Sequence, residues 1–365
     1  MKHASELTNI LNENFMWSKP RIECFVNMLL ALVLSRTVNL AKISCLIGSK
    51  TKISSRYRRL QRFFQHFKME LGLVSRFVFH LFGFDKVYLT MDRTNWKWGT
   101  SHINILMLGI AYRGIAIPIF WILLGKAGNS DTQVRIDIIK TFIKLFGKDK
   151  ILGLLADREF VGSKWFRWLN DENIPFYIRI KNNTVTTNTR GLEVDISELF
   201  YGLAIEEQRV LKGPRKVYGN KVYLAGLRTM AGELLIVATN RDPQSAITIY
   251  AKRWEIETLF GCLKGRGFCF EDTHMTQNEK IAQLIALLTI AFCWAHKTGI
   301  WRHEHQESIR IKTHGRLAIS FFRYGLDYIC DCLGQMLFGS RKSFKCMELL
   351  RPYPTINLHI TEGGL

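Results

Sequence analysis

Strand-like and helix-like runs of apolar residues follow one another through the central part of the chain. Apolar side chains dominate 86–91 (KVYLTM), 103–112 (INILMLGIAY) and 115–124 (IAIPIFWILL), and Arg113-Gly114 supplies a two-residue turn between the last two runs. The pattern therefore predicts three strands, the last two of them joined as a hairpin.

The next segment changes to helical spacing. Apolar residues at Val134, Ile138, Phe142 and Leu145 line one face, and Gly147 is typical of a helix end. An apolar strand (151–156), a short helix (162–173) and a further strand (175–181) then alternate. Three antiparallel strands followed by alternating strands and helices predict an α/β fold with a ribonuclease-H-like core.

The remaining segments define the predicted domain organisation. Residues 182–232 are rich in turn formers and β-prone residues, which predicts a small β-rich insertion, and 233–240 resumes the core. Asp242-Pro243 is typical of a helix start, and that helix is expected to run to about Gly265. We therefore expect a helical domain at 1–80, an α/β core at 81–275 containing the insertion, and a helical region at 276–365.

The net charge of the chain indicates which kinds of partner it can bind. The chain has 51 Lys and Arg against 31 Asp and Glu, a formal charge of +20, which favours nucleic acid first and an anionic membrane surface second. Between positions 24 and 69 there is no acidic residue and there are nine basic ones. A helix predicted there would present Arg56, Arg58, Arg59 and Arg62 to backbone phosphates, the alternative being an ordinary solvated surface.

The sequence argues against a membrane protein and against a secreted protein. The longest uninterrupted apolar runs are shorter than the roughly 18–20 residues of a membrane span, and the first residues lack the pattern of a secretory signal. The eight cysteines form no CxxC pair, so we expect reduced thiols, a cytoplasmic location and no membrane association.

Three carboxylates are the candidate chemical groups. Asp92 follows the strand at 86–91, Asp157 follows the strand at 151–156, and Glu257 lies in the helix predicted after Asp242. Taken singly, an Asp after a strand is more often a turn or capping residue. A buried carboxylate, however, is unfavourable without a cation or donors, and oxygen ligands select Mg²⁺ or Mn²⁺, with two ions about 4 Å apart suited to phosphoryl transfer.

The spacing around Glu257 is distinctive. A regular helix here would place four polar side chains on one face. They are Tyr250, Arg253, Glu257 and Lys264, separated by two, three and six residues. Together with TMDRTNWKWG around Asp92 and LLADREF around Asp157, this pattern resembles the DDE transposases of bacterial insertion sequences, specifically the insertion-sequence-four family. The resemblance covers about 86–275 in order.

The resemblance implies a function for each of these residues. Asp92, Asp157 and Glu257 would form the catalytic metal-binding triad, and Tyr250, Arg253 and Lys264 would contact DNA near the scissile phosphate. It further implies cut-and-paste transposition: nicking at the element end, a hairpin intermediate and strand transfer. The partners would be DNA at the terminal inverted repeats, target DNA and a second copy of the chain, in a bacterial cytoplasm at the nucleoid.

Two alternatives remain open at this stage. The same triad could serve a structure-specific DNA nuclease that only hydrolyses, or the chain could be a catalytically inactive DNA-binding regulator. The resemblance also implies an aromatic residue of the insertion on which a flipped base stacks. Tyr218 and Tyr223 are candidates by location alone, and ordinary packing is the alternative for both.

Overall fold

The structure, a computed structural model, describes residues 2–48, 50–188, 190–313, 315–336 and 343–353. It divides into two compact units. Residues 85–260 form one, the sheet unit, and the described parts of 1–84 and 261–365 form the other, the helical unit. The N-terminal and C-terminal helical segments, predicted as separate regions, thus fall within one unit.

Twelve α-helices and eleven strands are found in the described residues. The helices are α1 (Lys2–Asn14), α2 (Lys19–Ser35), α3 (Leu40–Leu46), α4 (Ile53–His66), α5 (Leu71–Leu81), α6 (Thr132–Phe146), α7 (Ser163–Asp171), α8 (Ala246–Ala251), α9 (Glu255–Leu263), α10 (Asn278–His305), α11 (Phe321–Met336) and α12 (Ser343–Glu348). The strands are β1 (Val87–Trp98), β2 (Ser101–Tyr112), β3 (Ile115–Leu123), β4 (Ile151–Ala156), β5 (Phe176–Ile180), β6 (Val185–Thr187), β7 (Glu193–Asp195), β8 (Gln208–Val210), β9 (Arg215–Val217), β10 (Asn220–Arg228) and β11 (Leu234–Thr239).

The sheet unit is built on one nine-stranded mixed sheet. Its order is β3-β2-β1-β4-β5-β11-β10-β8, with β9 also paired to β10. The pairs β1–β4 and β4–β5 are parallel, and all other pairs are antiparallel. The predicted three strands, the α6 helix and the following strand–helix–strand order are all confirmed, and the fold is a mixed α/β fold with a large sheet.

The turn between β2 and β3 shows why the hairpin could be predicted. Arg113 and Gly114 both have positive φ, 51° and 86°, as a type I′ turn requires. Glycine meets that requirement without strain. The register then pairs Tyr112 with Ile115 and places the apolar faces of both strands in the core.

The segment predicted as a β-rich insertion contributes to two sheets. Strands β6 and β7 pair only with each other, whereas β10 pairs with β11 and carries β8 at the edge of the main sheet. Tyr218 precedes β10 with a positive φ of 47°, and its hydroxyl lies 3.3 Å from the Thr184 hydroxyl. Tyr223 lies within β10, opposite Thr239.

The helix expected from Asp242 to about Gly265 differs in the structure. Helix α8 begins only at Ala246, a 3₁₀ turn occupies Lys252–Trp254, and α9 ends at Leu263. A 3₁₀ turn has 3.0 residues per turn rather than 3.6, so the side chains before and after it are out of phase with a regular helix. The prediction that four side chains share one face of a regular helix is therefore wrong.

The helical unit is packed around α10. Where α10 meets α11, a Cβ added at Gly299 would lie 1.8 Å from the Phe321 carbonyl oxygen, and one at Gly325 would lie 1.8 Å from the Ala295 carbonyl oxygen. Only glycine at both positions permits this backbone approach. The predicted C-terminal helical region contains α10, α11 and α12 in its described part, while 337–342 and 354–365 lie outside the described residues.

Among the helices of the described residues, α10 alone is long and apolar enough to cross a membrane. Helices α2 and α3 would add a second candidate only if they were counted as one span, and they are bent by 101° relative to each other. The sequence-based prediction counted uninterrupted apolar residues and found no run long enough to span a membrane. The mean hydropathy of α10 is nevertheless high enough, because an average tolerates scattered polar residues. In the structure 89% of the apolar window of α10 is buried within the protein, as in the core helix of a globular domain.

Candidate active site

Two of the predicted acids lie where the parallel pairing of β1 and β4 ends. Met91 of β1 pairs with Ala156 of β4, and Asp92 and Asp157 are the next residues of the two segments. Asp157 directly follows β4, as predicted, whereas Asp92 lies within β1, because β1 continues to Trp98 in its pairing with β2. Each carboxylate accepts a hydrogen bond at 2.7 Å from the main-chain N–H of the residue that follows it. The parallel register thus brings together two acids that are 65 positions apart in the sequence.

Arg253 links the first acid to the third. Its Nη1 lies 3.5 Å from Asp92 Oδ2, and its Nη2 lies 2.8 Å from Glu257 Oε1. The Arg253 side chain is only 2% exposed, whereas that of Glu257 is 48% exposed. A guanidinium so deeply buried requires nearby negative charge, and these two carboxylates supply it.

Tyr250 completes the contacts on the other side. Its hydroxyl donates a hydrogen bond to Asp157 Oδ1 at 3.4 Å, and its side chain is buried. Burial is the main cause that raises the pKa of Tyr250 above its usual range, so the phenol stays protonated and can donate. The Arg253 guanidinium also lies 4.2 Å from the ring centroid of Trp254, whose side chain is half exposed.

Burial makes the charged form of Asp92 costly. Burial raises its pKa to about 6; the Arg93 N–H and Arg253 oppose this shift, and the carboxylates of Glu159 and Asp157 add to it. A charged Asp92 is therefore unfavourable in its surroundings, and a cation placed beside it would relieve that cost.

A second layer of charged side chains fixes the loop that contains Asp157. Arg93 donates two hydrogen bonds to Glu159, at 2.6 and 2.7 Å, in a bidentate ion pair. Arg135 of α6 is buried and donates to the Ser130 hydroxyl at 2.9 Å and to the Glu159 carbonyl at 3.2 Å. The residues after β4 are thereby held from both sides.

The other predicted site residues lie elsewhere. Lys264 follows the end of α9 and forms an ion pair with Glu271 at 2.7 Å, within the helical unit. The four arginines predicted to contact phosphates all lie on α4 of the helical unit: Arg56, Arg58, Arg59 and Arg62. Among the residues predicted to contact DNA, Tyr250 and Arg253 contact the acids.

The donor set fits a hard divalent cation in its chemistry. Asp92, Asp157 and Glu257 offer only oxygen ligands, and the raised pKa of Asp92 reflects mainly its burial, which Arg253 only partly offsets. In the described part of the chain no three His, Cys, Asp or Glu side chains are arranged to hold a metal ion. The positive group beside Asp92 and Glu257 in this arrangement is Arg253.

Several residues of the site were missed by the sequence reasoning. Arg93 directly follows Asp92, and Trp254 directly follows Arg253, so adjacency to a candidate residue was an available signal for both. Glu255 lies two residues before Glu257 and is mainly buried, which raises its pKa, while it accepts hydrogen bonds from the main chain of Tyr112 and Gly114. The sequence around Arg135 did not indicate its role, because a buried arginine and an exposed arginine in an amphipathic helix cannot be told apart from the sequence.

Comparisons with known proteins identify the family of the chain. No curated protein matches the chain. A solved structure, the cryo-EM structure of the piggyBac transposase synaptic complex with hairpin DNA, is similar with a TM-score of 0.45 and 11% identity, over 98% of this chain and 84% of that chain. Residues 83–294, more than half of the chain and including all three acids, match the family model of the Transposase DDE domain. The chain therefore belongs to the Transposase DDE domain family.

Proposed function

We propose that this protein catalyses cut-and-paste transposition of a bacterial insertion sequence, with Asp92, Asp157 and Glu257 as its catalytic acids. One observation carries the proposal. In a chain of the Transposase DDE domain family, Arg253 contacts both Asp92 and Glu257, and Tyr250 contacts Asp157. Tyr250 and Arg253 of the Tyr-Arg-Glu-Lys spacing thus contact the two aspartates, and Arg253 also binds Glu257, which supports assignment to the insertion-sequence-four family.

The strand arrangement supports a ribonuclease-H-like core. The order β3-β2-β1-β4-β5, with the first three strands antiparallel and β1, β4 and β5 parallel, is the arrangement that the sequence pattern predicts for such a core. The domain plan at 1–80, 81–275 and 276–365 remains part of this proposal, with the 182–232 segment as an insertion between Asp157 and Glu257.

A DDE domain implies use of divalent metal in general, and we propose Mg²⁺ or Mn²⁺, as two ions. Asp92, Asp157 and Glu257 would hold them. When bound, such ions supply Lewis-acid stabilisation of the attacking and leaving oxygens in phosphoryl transfer. The protein itself orients the acids: Tyr250 donates to Asp157, and Arg253 holds Glu257 near Asp92.

The same residues fit contact with DNA. Arg253 is a planar donor that would contact a phosphate oxygen by exchanging one of its carboxylate partners for the phosphate. The half-exposed Trp254 beside it offers an aromatic surface next to the acids. Lys264 is proposed as a further phosphate contact. The substrates would be the terminal inverted repeats and target DNA, with two copies of the chain in the complex, acting in the bacterial cytoplasm at the nucleoid.

An end-cleavage assay tests the proposal. The full chain is incubated with Mg²⁺ or Mn²⁺ and a labelled duplex carrying the terminal repeat that flanks its gene. We expect metal-dependent nicks or hairpins at the repeat boundary and strand transfer to a target plasmid. Glu257→Gln should abolish all products, and Glu193→Gln, an exposed acid on β7, should retain them.

Other outcomes would replace the proposal. Metal-dependent nicks without any strand transfer would identify a structure-specific nuclease. Binding without cleavage by the wild-type chain would identify a DNA-binding regulator, and the acids would then have structural roles only.

A further inference from the structure

Helix α4 of the helical unit presents a wide polar face. Its buried side chains, Leu60, Phe63 and Phe64, occupy one side. Arg58, Gln61, Arg62 and Gln65 project from the opposite side and are exposed. Because residues four apart lie on the same side of a helix, the two arginines and the two glutamines form adjacent rows along it.

The arginines of α4 have different surroundings. Arg56 donates to the carbonyl oxygens of Thr51 and Ile47, at 2.9 and 2.7 Å, and so braces the connection between α3 and α4. Arg59 donates to the Pro20 carbonyl oxygen at 3.3 Å. Arg58 and Arg62, by contrast, have no hydrogen-bond or ion-pair partner in the described part of the chain. Only this second pair is available to a ligand without breaking a contact.

The exposed face of α4 is positively charged and favours an anionic ligand. No acidic residue occurs between positions 24 and 69, so no carboxylate of α2, α3 or α4 beyond Glu23 can neutralise it. Arg58 and Arg62 lie four residues apart, and like charges at this spacing repel each other and destabilise a helix. An anionic partner would remove that cost.

A groove of about 540 Å³ runs beside this face. Gln61, Arg62 and Gln65 contribute to its lining from α4, and Gln277 and Lys280 contribute from the start of α10. None of its lining residues is acidic. Side chains able to read hydrogen-bonding groups thus lie beside a cleft with cationic walls.

We propose that α4 is a recognition helix that lies in the DNA major groove, with Arg58, Gln61, Arg62 and Gln65 facing base edges. The inference rests on the proposed function and deepens it. Arginine pairs with two acceptors of guanine and glutamine pairs with adenine, so this set of side chains can distinguish bases. Helix α3, a six-residue connection and α4 follow one another as in a helix-turn-helix.

The groove beside α4 would then hold the phosphate backbone of one strand. Lys280 lies on its far wall and acts as a point charge towards a phosphate oxygen. These roles differ from the sequence-based expectation, in which all four arginines of α4 contacted the DNA backbone. Arg58 and Arg62 read sequence, whereas Arg56 is a structural residue of the α3–α4 connection.

Competition binding with the full chain tests the inference. A preferred duplex is first selected from a random library, and affinities for it and for random duplex are measured between 50 and 200 mM salt. The variants are Arg62→Lys, Gln61→Ala and Lys280→Ala, with Lys140→Ala on α6 as the matched control. All four positions are at least partly exposed, so folding should be retained.

We expect Arg62→Lys and Gln61→Ala to lower the preference for the selected duplex about tenfold, because lysine keeps the charge but loses the paired geometry. Binding to random duplex should change less than threefold. Lys280→Ala should weaken both duplexes equally and reduce the slope of log affinity against log salt by about one.

An unchanged preference in Arg62→Lys and Gln61→Ala would overturn base reading by α4 while leaving the proposed function intact. Equal losses on both duplexes would also overturn it, because they indicate contact with phosphates alone. If the wild-type chain binds no duplex even at 50 mM salt, both this inference and the proposed function fail.

Discussion

Three arginines of the sheet unit and two of the helical unit have opposite surroundings. In the sheet unit Arg253, Arg93 and Arg135 are largely buried and each contacts several acceptors. In the helical unit Arg58 and Arg62 are exposed on α4, within the segment 24–69 that has no acidic residue. Buried arginines therefore hold the acids of the sheet unit in place, whereas this exposed pair on α4 remains available to a ligand.

The units also differ in what holds them together. The sheet unit buries ion pairs beside its central strands, where charge is expensive to bury. The helical unit packs α10 against α11 at glycine positions. Disrupting a buried charge should therefore damage the sheet unit, whereas added volume should damage the helical unit.

The largest effect should follow removal of the Arg253 side chain. Arg253→Ala leaves Asp92 and Glu257 without their cation and opens a cavity, so we expect a loss of about 3–5 kcal/mol in the free energy of unfolding. Urea denaturation measures it. The matched variant Arg58→Ala should change stability by less than about 0.5 kcal/mol. Equal losses in the two variants would remove the distinction between buried and exposed arginines.

The next effect concerns the pH dependence of Asp92. Its pKa of about 6 in the folded chain exceeds the ordinary value of 3.8, so its stabilising contribution is complete below pH 4 and is lost as pH rises through 6. Without divalent metal, the wild-type chain should lose about 3 kcal/mol relative to Asp92→Asn between pH 4 and pH 7. Parallel stability curves for the two proteins would show that Asp92 is not strained.

Added volume between α10 and α11 should have an intermediate effect. Gly299→Ala places a methyl group against the Phe321 carbonyl and should destabilise the chain by about 1–3 kcal/mol. Gly334→Ala on α11 meets nothing within 4 Å, so it should stabilise by up to about 1 kcal/mol through helix propensity. Thermal unfolding distinguishes the two, and a neutral Gly299→Ala would argue against close packing.

The smallest effect should come from the ion pair behind Asp157. Glu159→Gln removes the charge that pairs with Arg93 and loosens the loop after β4, with little change in fold. Residues that orient metal ligands typically contribute 10–100-fold to activity. We expect about a tenfold slower first nick with an unchanged circular dichroism spectrum. A wild-type rate would show that Arg135 alone suffices to fix the loop.

Local patterns were sufficient for much of the sheet unit. Alternating apolar runs predicted β1, β2, β3, β4 and β5, and the Arg113-Gly114 turn predicted the hairpin, because these features depend on neighbouring residues only. The helix from Asp242 to Gly265 could not be predicted in this way. Its 3₁₀ turn depends on the surroundings of Arg253, whose partners include a residue 161 positions away.

The sequence by itself determined the family, the candidate acids and the single-signed charge of residues 24–69, since each depends on residue types and spacing. Only the tertiary structure decided which cations are buried. It assigned Arg253 to Asp92 and Glu257, Lys264 to Glu271, and Arg56 to main-chain carbonyls, and it left Arg58 and Arg62 exposed. The reason is physical: the energy of a charge depends on its burial and its partners, and both are set by contacts between distant segments.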